Sequence, residues 1–166
     1  MRNKIIIIVL ISAFKINAQV NLVMNPSFED PTTCSPQMST CPLYILPNWG
    51  CNLNTPDCYN ICVTNTVFGI PSNLLGYQQP FSGFGYVGLH TYGTFGPNVR
   101  EIIQGTLLQP LVIGQKYFFS FRVSRGDSGV SFFHDKIGLR LSTSPQNSVS
   151  INNWAHISTS QLISDK

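Results

Sequence analysis

A serine and the scattered carboxylates are the residues of this sequence that could carry out catalysis. Ser128 lies in a Gly-Asp-Ser-Gly tetrapeptide, a setting in which a protease can place its nucleophile. The matching mechanism needs a histidine base and an aspartate, here in the order His, Asp, Ser. Only His90 precedes Ser128, and apart from Asp127, which belongs to the tetrapeptide itself, Glu101 is the one acidic residue between them. Asp and Gly are ordinary turn residues, so the tetrapeptide predicts a turn rather than a nucleophile.

The carboxylates do not form a convincing catalytic pair. Glu29 and Asp30 are neighbours, and side chains of neighbouring strand residues point to opposite faces. Glu101 follows Arg100, which favours an ion pair or an edge position. The three histidines have no ligand spacing typical of a catalytic metal. A glycosidase needs two opposed carboxyl groups, and we therefore predict that the protein is not an enzyme.

The aromatic side chains indicate binding instead. Flat rings can stack on the apolar faces of sugars, while amides and charged groups bond the hydroxyls, and ligand sites in general combine apolar walls with a few polar groups. The candidate sugar-stacking residues lie in or beside loops rich in Gly, Asn and Gln, and are Trp49, Tyr59, Tyr77, Tyr86 and Tyr92. The candidate hydrogen-bonding residues are Gln78, Gln79, His90 and Arg100. The alternative is that these rings belong to the core, as we predict for Phe119 and Phe121.

The N-terminus predicts export. Residues 1–18 combine a basic start, an apolar run from Ile5 to Phe14 and a small residue, Ala18, before a cleavage point, as in a secretory signal peptide. An N-terminal membrane anchor is the alternative. Removal of this leader takes away three of the ten basic residues and leaves seven against seven acidic ones. A neutral chain does not suit a nucleic-acid binder or a polybasic membrane-surface protein. With no second long apolar stretch, the mature chain is predicted not to span a membrane.

Five cysteines fall between residues 34 and 62, and in an exported chain such a cluster predicts disulfides. Zinc is disfavoured because the spacings are irregular. Five is an odd number, and the spacing alone does not fix which cysteines pair. Residues 31–62 are rich in Pro, Thr and Asn, so we predict a long loop stapled by disulfides.

The elements that would position these residues are short strands. Runs of β-type residues between turn signals predict strands at 20–24, 63–68, 84–92, 99–108, 116–124, 136–142 and 154–158, with a turn at 110–114. The clearest is 116–124, where Tyr117, Phe119, Phe121 and Val123 alternate with more polar residues and are expected to be buried. No segment has a sustained helical period. The chain is therefore predicted to be all-β, a sandwich or barrel of about seven to eight strands.

The opening segment Asn21-Leu22-Val23-Met24-Asn25-Pro26-Ser27-Phe28-Glu29, with Trp49 further on, resembles the first strand of galactose-binding-like jelly-roll carbohydrate-binding modules. Residues 103–117 resemble the central hairpin of that family. More closely, the mature chain is similar to a module of secreted and outer-surface proteins of Bacteroidetes-type bacteria. The stretches that carry this similarity are Pro56–Cys62, Gly69–Gly76, Gly76–Gln78, Ser82–Tyr92, Arg100–Gln104 and Asp135–Gly138.

The resemblance implies a jelly-roll β-sandwich over residues 19–166 that lacks its last strands, because such modules continue past this point. It implies disulfides between Cys41 and Cys62 and between Cys51 and Cys58, leaving Cys34; Cys58 departs from the family, which has an aromatic residue there. It also implies a structural calcium at Glu29, with Asp30 and Asp135 as helpers.

The predicted function is that of a secreted, non-catalytic module that recognises a glycan or another envelope polymer at the cell surface. The alternative is a structural spacer or adhesion module within a larger outer-membrane-associated or type IX-secreted protein, joined to further domains of the same polypeptide.

Overall fold

The computed structural model describes residues 20–31, 34, 46–51, 56–91, 100–128, 135–145, 155–161 and 163. These residues contain strands and no helix, so the predicted all-β class is confirmed. The strands are β1 (Trp49–Gly50), β2 (Asp57–Asn60), β3 (Ser72–Asn73), β4 (Gly76–Tyr77), β5 (Gly85–Gly88), β6 (Gln104–Gly105), β7 (Gly138–Leu139) and β8 (Ile157–Ser158). The predicted leader, residues 1–18, lies outside the described residues, as do Cys41 and Tyr92.

The strands form antiparallel pairs, and the longest pair joins β2 to β5. In this pair Tyr59 lies opposite Tyr86, and Asp57 lies opposite Gly88. The other pairs are β1 with β6, β3 with β4, and β7 with β8. The core forms around the β2–β5 pair, and its buried apolar members are Leu46, Cys58, Tyr59, Val63 and Phe68.

The prediction for residues 31–68 was wrong in two places. The stretch predicted to be a long loop contains β1 and β2, because Tyr59 and its neighbours pair with a strand more than twenty residues further along the chain. The strand predicted at 63–68 is instead a turn, because the Asn65 side chain accepts hydrogen bonds from the backbone N–H groups of Val67 and Phe68 at 2.9 Å. A local bond of this kind competes with strand pairing.

The segment predicted to be the clearest strand, 116–124, has no strand partner among the described residues. Its predicted buried face is also wrong in part: the side chain of Phe121 is 47% exposed and that of Val123 is 41% exposed. Alternation of residue types determines which side chains share a face, but burial depends on a second layer that covers that face.

Other predicted strands are present in shorter form. Within 20–24 only Val23 pairs, in a single antiparallel bridge to Leu107. The strands predicted at 84–92, 99–108, 136–142 and 154–158 contain β5, β6, β7 and β8 respectively. The turn predicted at 110–114 is confirmed: Gln115 donates to the Val112 carbonyl at 3.1 Å, and Gly114 has a φ of +84°. Positive φ is a conformation that glycine adopts without steric cost.

The predicted disulfide staple is present, but with different pairing. Cys34 is bonded to Cys62, with a Cα–Cα distance of 6.1 Å, within the usual range. The predicted bond between Cys41 and Cys62 is therefore wrong. The predicted bond between Cys51 and Cys58 is wrong as well, because Cys58 is disulfide-bonded whereas Cys51 retains its thiol. Sequence spacing did not favour one pairing over another, and the fold brings Cys34 beside the end of β2.

Candidate functional site

Two of the predicted sugar-contacting tyrosines belong to the core. Tyr59 is 3% exposed, and its ring stacks on that of Tyr86 with centroids 5.1 Å apart and planes 20° apart. The ring of Tyr59 also lies over Gly88, where an added Cβ would approach Cε2 to 2.7 Å. Burial raises the pKa of Tyr59, and the charge of Asp57 raises it further. We therefore leave Tyr59 out of the candidate sugar-binding surface.

Tyr86 is half-buried, and its hydroxyl oxygen accepts a hydrogen bond from the Asn73 amide. Burial raises the pKa of Tyr86, and the bond from Asn73 offsets part of that effect. This bond joins the central β2–β5 pair to β3. Tyr86 thus connects the core to the hairpin that carries Tyr77.

Trp49 is held by packing and by a hydrogen bond. Its indole Nε1 donates to the Asn25 carbonyl at 2.8 Å, and its ring packs against Phe28 with centroids 4.6 Å apart. Across the strand pair it lies over Gly105, where a Cβ would approach the ring to 2.9 Å. The side chain therefore joins the opening segment to the β1–β6 pair, and little of its polar edge is left for a ligand.

Tyr77, in contrast, projects into solvent at the end of the β3–β4 hairpin, with 59% of its side chain exposed. Its hydroxyl oxygen accepts a hydrogen bond from Gln79 Nε2 at 3.2 Å. Gln78 lies between them, and its side-chain amide donates to the Gln79 carbonyl at 2.7 Å. We call Tyr77, Gln78 and Gln79 the Tyr77 platform. It places an exposed ring beside two side-chain amides.

A distant loop fixes the backbone under the Tyr77 platform. The N–H groups of Asp127 and Ser128 both donate to the Leu75 carbonyl, at 2.7 and 2.9 Å. The Ser128 hydroxyl donates to the Leu74 carbonyl at 2.9 Å. The Asp127 carboxylate accepts from the Tyr77 N–H at 3.3 Å. The Gly-Asp-Ser-Gly tetrapeptide thus has a structural contact in which its serine hydroxyl is engaged with the backbone.

His90 follows the end of β5, and Arg100 precedes Glu101, which binds the His90 backbone. The His90 N–H donates to the Glu101 carboxylate at 2.7 Å, and the Glu101 N–H donates back to the His90 carbonyl at 2.8 Å. Burial raises the pKa of Asp57, the negative charge of Glu101 raises it further, and His90 lowers it. Asp57 and Glu101 are therefore electrostatic neighbours, which their separation in the sequence gave no reason to expect.

The predicted calcium ligands are not gathered into one group. Among the described residues, no three His, Cys, Asp or Glu side chains lie together in a way that could hold a metal. The Glu29 carboxylate lies against Gly83, where an added Cβ would overlap it. Asp135 uses its carbonyl to accept a hydrogen bond from the Thr159 hydroxyl at 2.8 Å. A calcium at Glu29 would need backbone carbonyl ligands, and it stays a prediction.

Sequence reasoning missed Phe81 and Arg122. The Arg122 guanidinium carbon lies 4.5 Å from the centroid of the Phe81 ring, in a cation–π contact. The setting of Phe81, between Gln-Gln-Pro and Ser-Gly, was a usable signal, because it is the same kind of loop as that of Tyr77. Nothing in the sequence indicated its pairing with Arg122.

Comparison of the chain with models of protein families, with characterised proteins and with solved structures gives no match. Within the described ranges, no helix has the length and apolar character needed to cross a bilayer.

Proposed function

We propose that this chain is a non-catalytic module that binds a polysaccharide or another envelope glycan, with the ring of Tyr77 as the main contact. The observation that carries the proposal is that this ring is largely exposed while its backbone and its hydroxyl are both held in place. A ring whose orientation is already fixed loses little conformational freedom when a ligand stacks on it.

The chemistry of the Tyr77 platform suits a sugar. The ring offers a flat apolar face, and the side chains of Gln78 and Gln79 offer donors and acceptors in the same stretch of chain. The platform itself carries no charge, which favours the hydroxyl groups of a neutral glycan over an anionic ligand.

The proposed setting is the exterior of the cell, as a secreted or outer-membrane-surface protein, and the proposed architecture is the jelly-roll sandwich. The disulfide between Cys34 and Cys62 supports an oxidising compartment. The antiparallel pairs support a sandwich of the predicted kind. The resemblance to the galactose-binding-like modules is the remaining support for both proposals.

A polysaccharide-retention experiment tests the function. The complete chain is run through native gels that contain soluble neutral polysaccharides, and the dissociation constant is obtained from the retardation. We expect Tyr77→Ala to weaken binding at least about tenfold, the equivalent of ~1.4 kcal/mol, and Tyr77→Phe to keep most of it, since the ring remains.

Phe118→Ala provides the matched control, because Phe118 is a 77% exposed aromatic outside the platform. If Phe118→Ala weakens retention as much as Tyr77→Ala, the contact is non-specific and the platform is not the site. If the folded Tyr77→Ala protein is retained as strongly as the unaltered chain, the proposal fails.

A structural spacer or adhesion module is the second candidate. It is favoured by large apolar side chains that stand in solvent, such as Phe118, Ile113 and Phe81, because exposed apolar surface commonly marks contact with another protein. In that case no polysaccharide would retard the chain, and binding would instead be found with proteins of the same envelope.

A further inference from the structure

A groove lies between two chain segments that take no part in the Tyr77 platform. One wall is formed by residues 119–123, and the other by residues 157–161 and Ile163. Its volume is about 520 Å³, within the range of ~300–1,000 Å³ that is common for binding sites.

The backbone of the first wall has no hydrogen-bond partner among the described residues. Residues 115–126 run without a turn, a bend or a helix. From 116 to 124, no backbone N–H or C=O group makes a hydrogen bond to any described residue. A straight segment with unpaired backbone groups has the hydrogen-bonding character of a sheet edge.

The second wall is also a sheet edge. On one side β8 pairs with β7, and the Thr159 N–H donates to the Ile137 carbonyl at 2.9 Å. Alternate residues of an antiparallel strand direct their N–H and C=O groups to opposite sides. Because Thr159 directs its N–H toward β7, the backbone groups of the next residue, Ser160, point away from β7, and Ser160 lines the groove.

The described lining of the groove combines apolar side chains with the hydroxyl and amide side chains of Ser, Thr and Gln, and carries one charge. Phe121, Val123 and Ile157 are each more than two-fifths exposed, so their apolar surface remains available to a partner. Among the described residues of the lining, Arg122 is the single charged one and none is acidic. A carboxylate on a bound molecule would complement it.

We propose that this groove binds an extended peptide segment of another protein, which adds as a strand between the two walls. The peptide would carry small apolar side chains at alternate positions and a carboxylate that reaches Arg122. Strand addition of this kind gains affinity from main-chain hydrogen bonds and specificity from alternate side chains.

A second copy of this chain is a poorer occupant. The segment 116–124, whose backbone has no partner among the described residues, carries Lys116 and Arg122 and no acidic residue. Placed in the groove of a neighbour, it would bring a positive charge toward Arg122. The partner that fits is therefore an acidic strand with a different sequence.

The test uses the complete chain and a fluorescent eight-residue peptide of alternating valine and threonine with one central glutamate. A control peptide has the same side chains but N-methyl groups on alternate residues, which remove N–H donors. We expect anisotropy to show saturable binding of the first peptide and at least about tenfold weaker binding of the second.

Two variants locate the binding site. Ser160→Pro removes an N–H group of the groove edge and should weaken binding at least about tenfold, whereas Ser160→Ala keeps that group and should bind within about twofold of the unaltered chain. Arg122→Glu leaves the backbone intact. This variant should no longer bind the glutamate peptide and should instead bind a peptide with lysine at the central position.

Three results would overturn the proposal: no saturable binding of the glutamate peptide, equal binding of the N-methylated peptide, or unchanged binding by Arg122→Glu. A dimer in solution that Arg122→Glu abolishes would identify a second copy as the occupant and overturn it too. Polysaccharide retention through Tyr77 is measured separately, so failure of either proposal leaves the other standing.

Discussion

Tyr59 and Tyr86 face each other across the β2–β5 pair, with ring centroids 5.1 Å apart and planes inclined by 20°. One ring is buried, and the other reaches the rim, where its hydroxyl bonds to Asn73. Through this stack the core is joined to the β3–β4 hairpin.

Replacement of Tyr59 should destabilise the fold. We expect Tyr59→Ala to lower the free energy of unfolding by about 3–5 kcal/mol, because a large buried ring is lost. Tyr59→Phe should cost far less, since the Tyr59 hydroxyl makes no hydrogen bond within the described residues. Urea denaturation measures both. Equal loss in the two variants would contradict the assignment of the ring to the core.

The stability of the protein should depend on the protonation of Asp57. Its pKa in the folded chain is raised above the ordinary 3.8, first by burial and then by Glu101. The folded state therefore holds this proton more tightly than the unfolded state, and stability falls as pH rises from about the ordinary value through the raised one.

Asp57→Asn removes this titration, so its stability should decline less than that of the unaltered chain over the same pH interval. Urea denaturation at a series of pH values above 3.8 makes the comparison. Asp30→Asn is the control, since Asp30 is exposed. Parallel curves of stability against pH for Asp57→Asn and the unaltered chain would show that Asp57 does not contribute to the pH dependence.

Loss of the disulfide should weaken the fold through the unfolded chain. The bond between Cys34 and Cys62 closes a loop across 28 positions, which on the chain-entropy account stabilises the protein by about 3.5 kcal/mol. We expect the Cys34→Ser, Cys62→Ser double variant to lose about that amount in urea denaturation. Peptide mapping without reductant identifies the pair, and a fragment that joins Cys62 to a cysteine other than Cys34 would contradict it.

Gly83 should tolerate no side chain. Its φ is +66°, and a Cβ there would overlap the Glu29 carboxylate. Gly83→Ala is therefore expected to cost at least about 1–2 kcal/mol from the backbone conformation alone. Gly50→Ala is the matched control, because nothing lies within 4 Å of its added methyl group. Similar melting temperatures for the two variants would contradict the positive φ of Gly83 and the close approach of Glu29 to it.

Calcium should stabilise the protein if Glu29 holds a structural ion. We expect the melting temperature to rise with added calcium and to fall with chelator, since a ligand that binds only the folded state stabilises it. Glu29→Gln should remove this response while leaving a cooperative transition. Identical melting curves with calcium and with chelator would exclude the ion.

The all-β class and the Gly114 turn could be predicted from the sequence because both depend on local residue preferences. The strand β2 could not, because Asp57-Cys58-Tyr59-Asn60 becomes a strand only through pairing with residues 85–88. The 116–124 segment shows the reverse case, in which a strong local pattern has no described partner. The local residue pattern indicates whether a segment tends to form a strand, and non-local contacts determine whether the strand forms.

The candidate site shows the same limit. Tyr59 and Tyr77 are the same residue type in similar polar surroundings of sequence, yet one is 3% and the other 59% exposed. Which tyrosine could meet a sugar was therefore not decidable from residue type. The disulfide partners also depended on the path of the chain, because a loop as long as the one predicted at 31–62 could bring either Cys34 or Cys41 to Cys62.

The contact between the Asp127–Ser128 loop and the β3–β4 hairpin also affects when the hairpin can complete its folding during synthesis of the chain. The bonds from Tyr77 to Asp127 and from Ser128 to Leu74 connect residues that are 50 and 54 positions apart. A nascent chain that has emerged only as far as the hairpin lacks these partners, and distant contacts of this kind form slowly. The Tyr77 platform should therefore acquire its final geometry late, after the loop at 127–128 has left the ribosome.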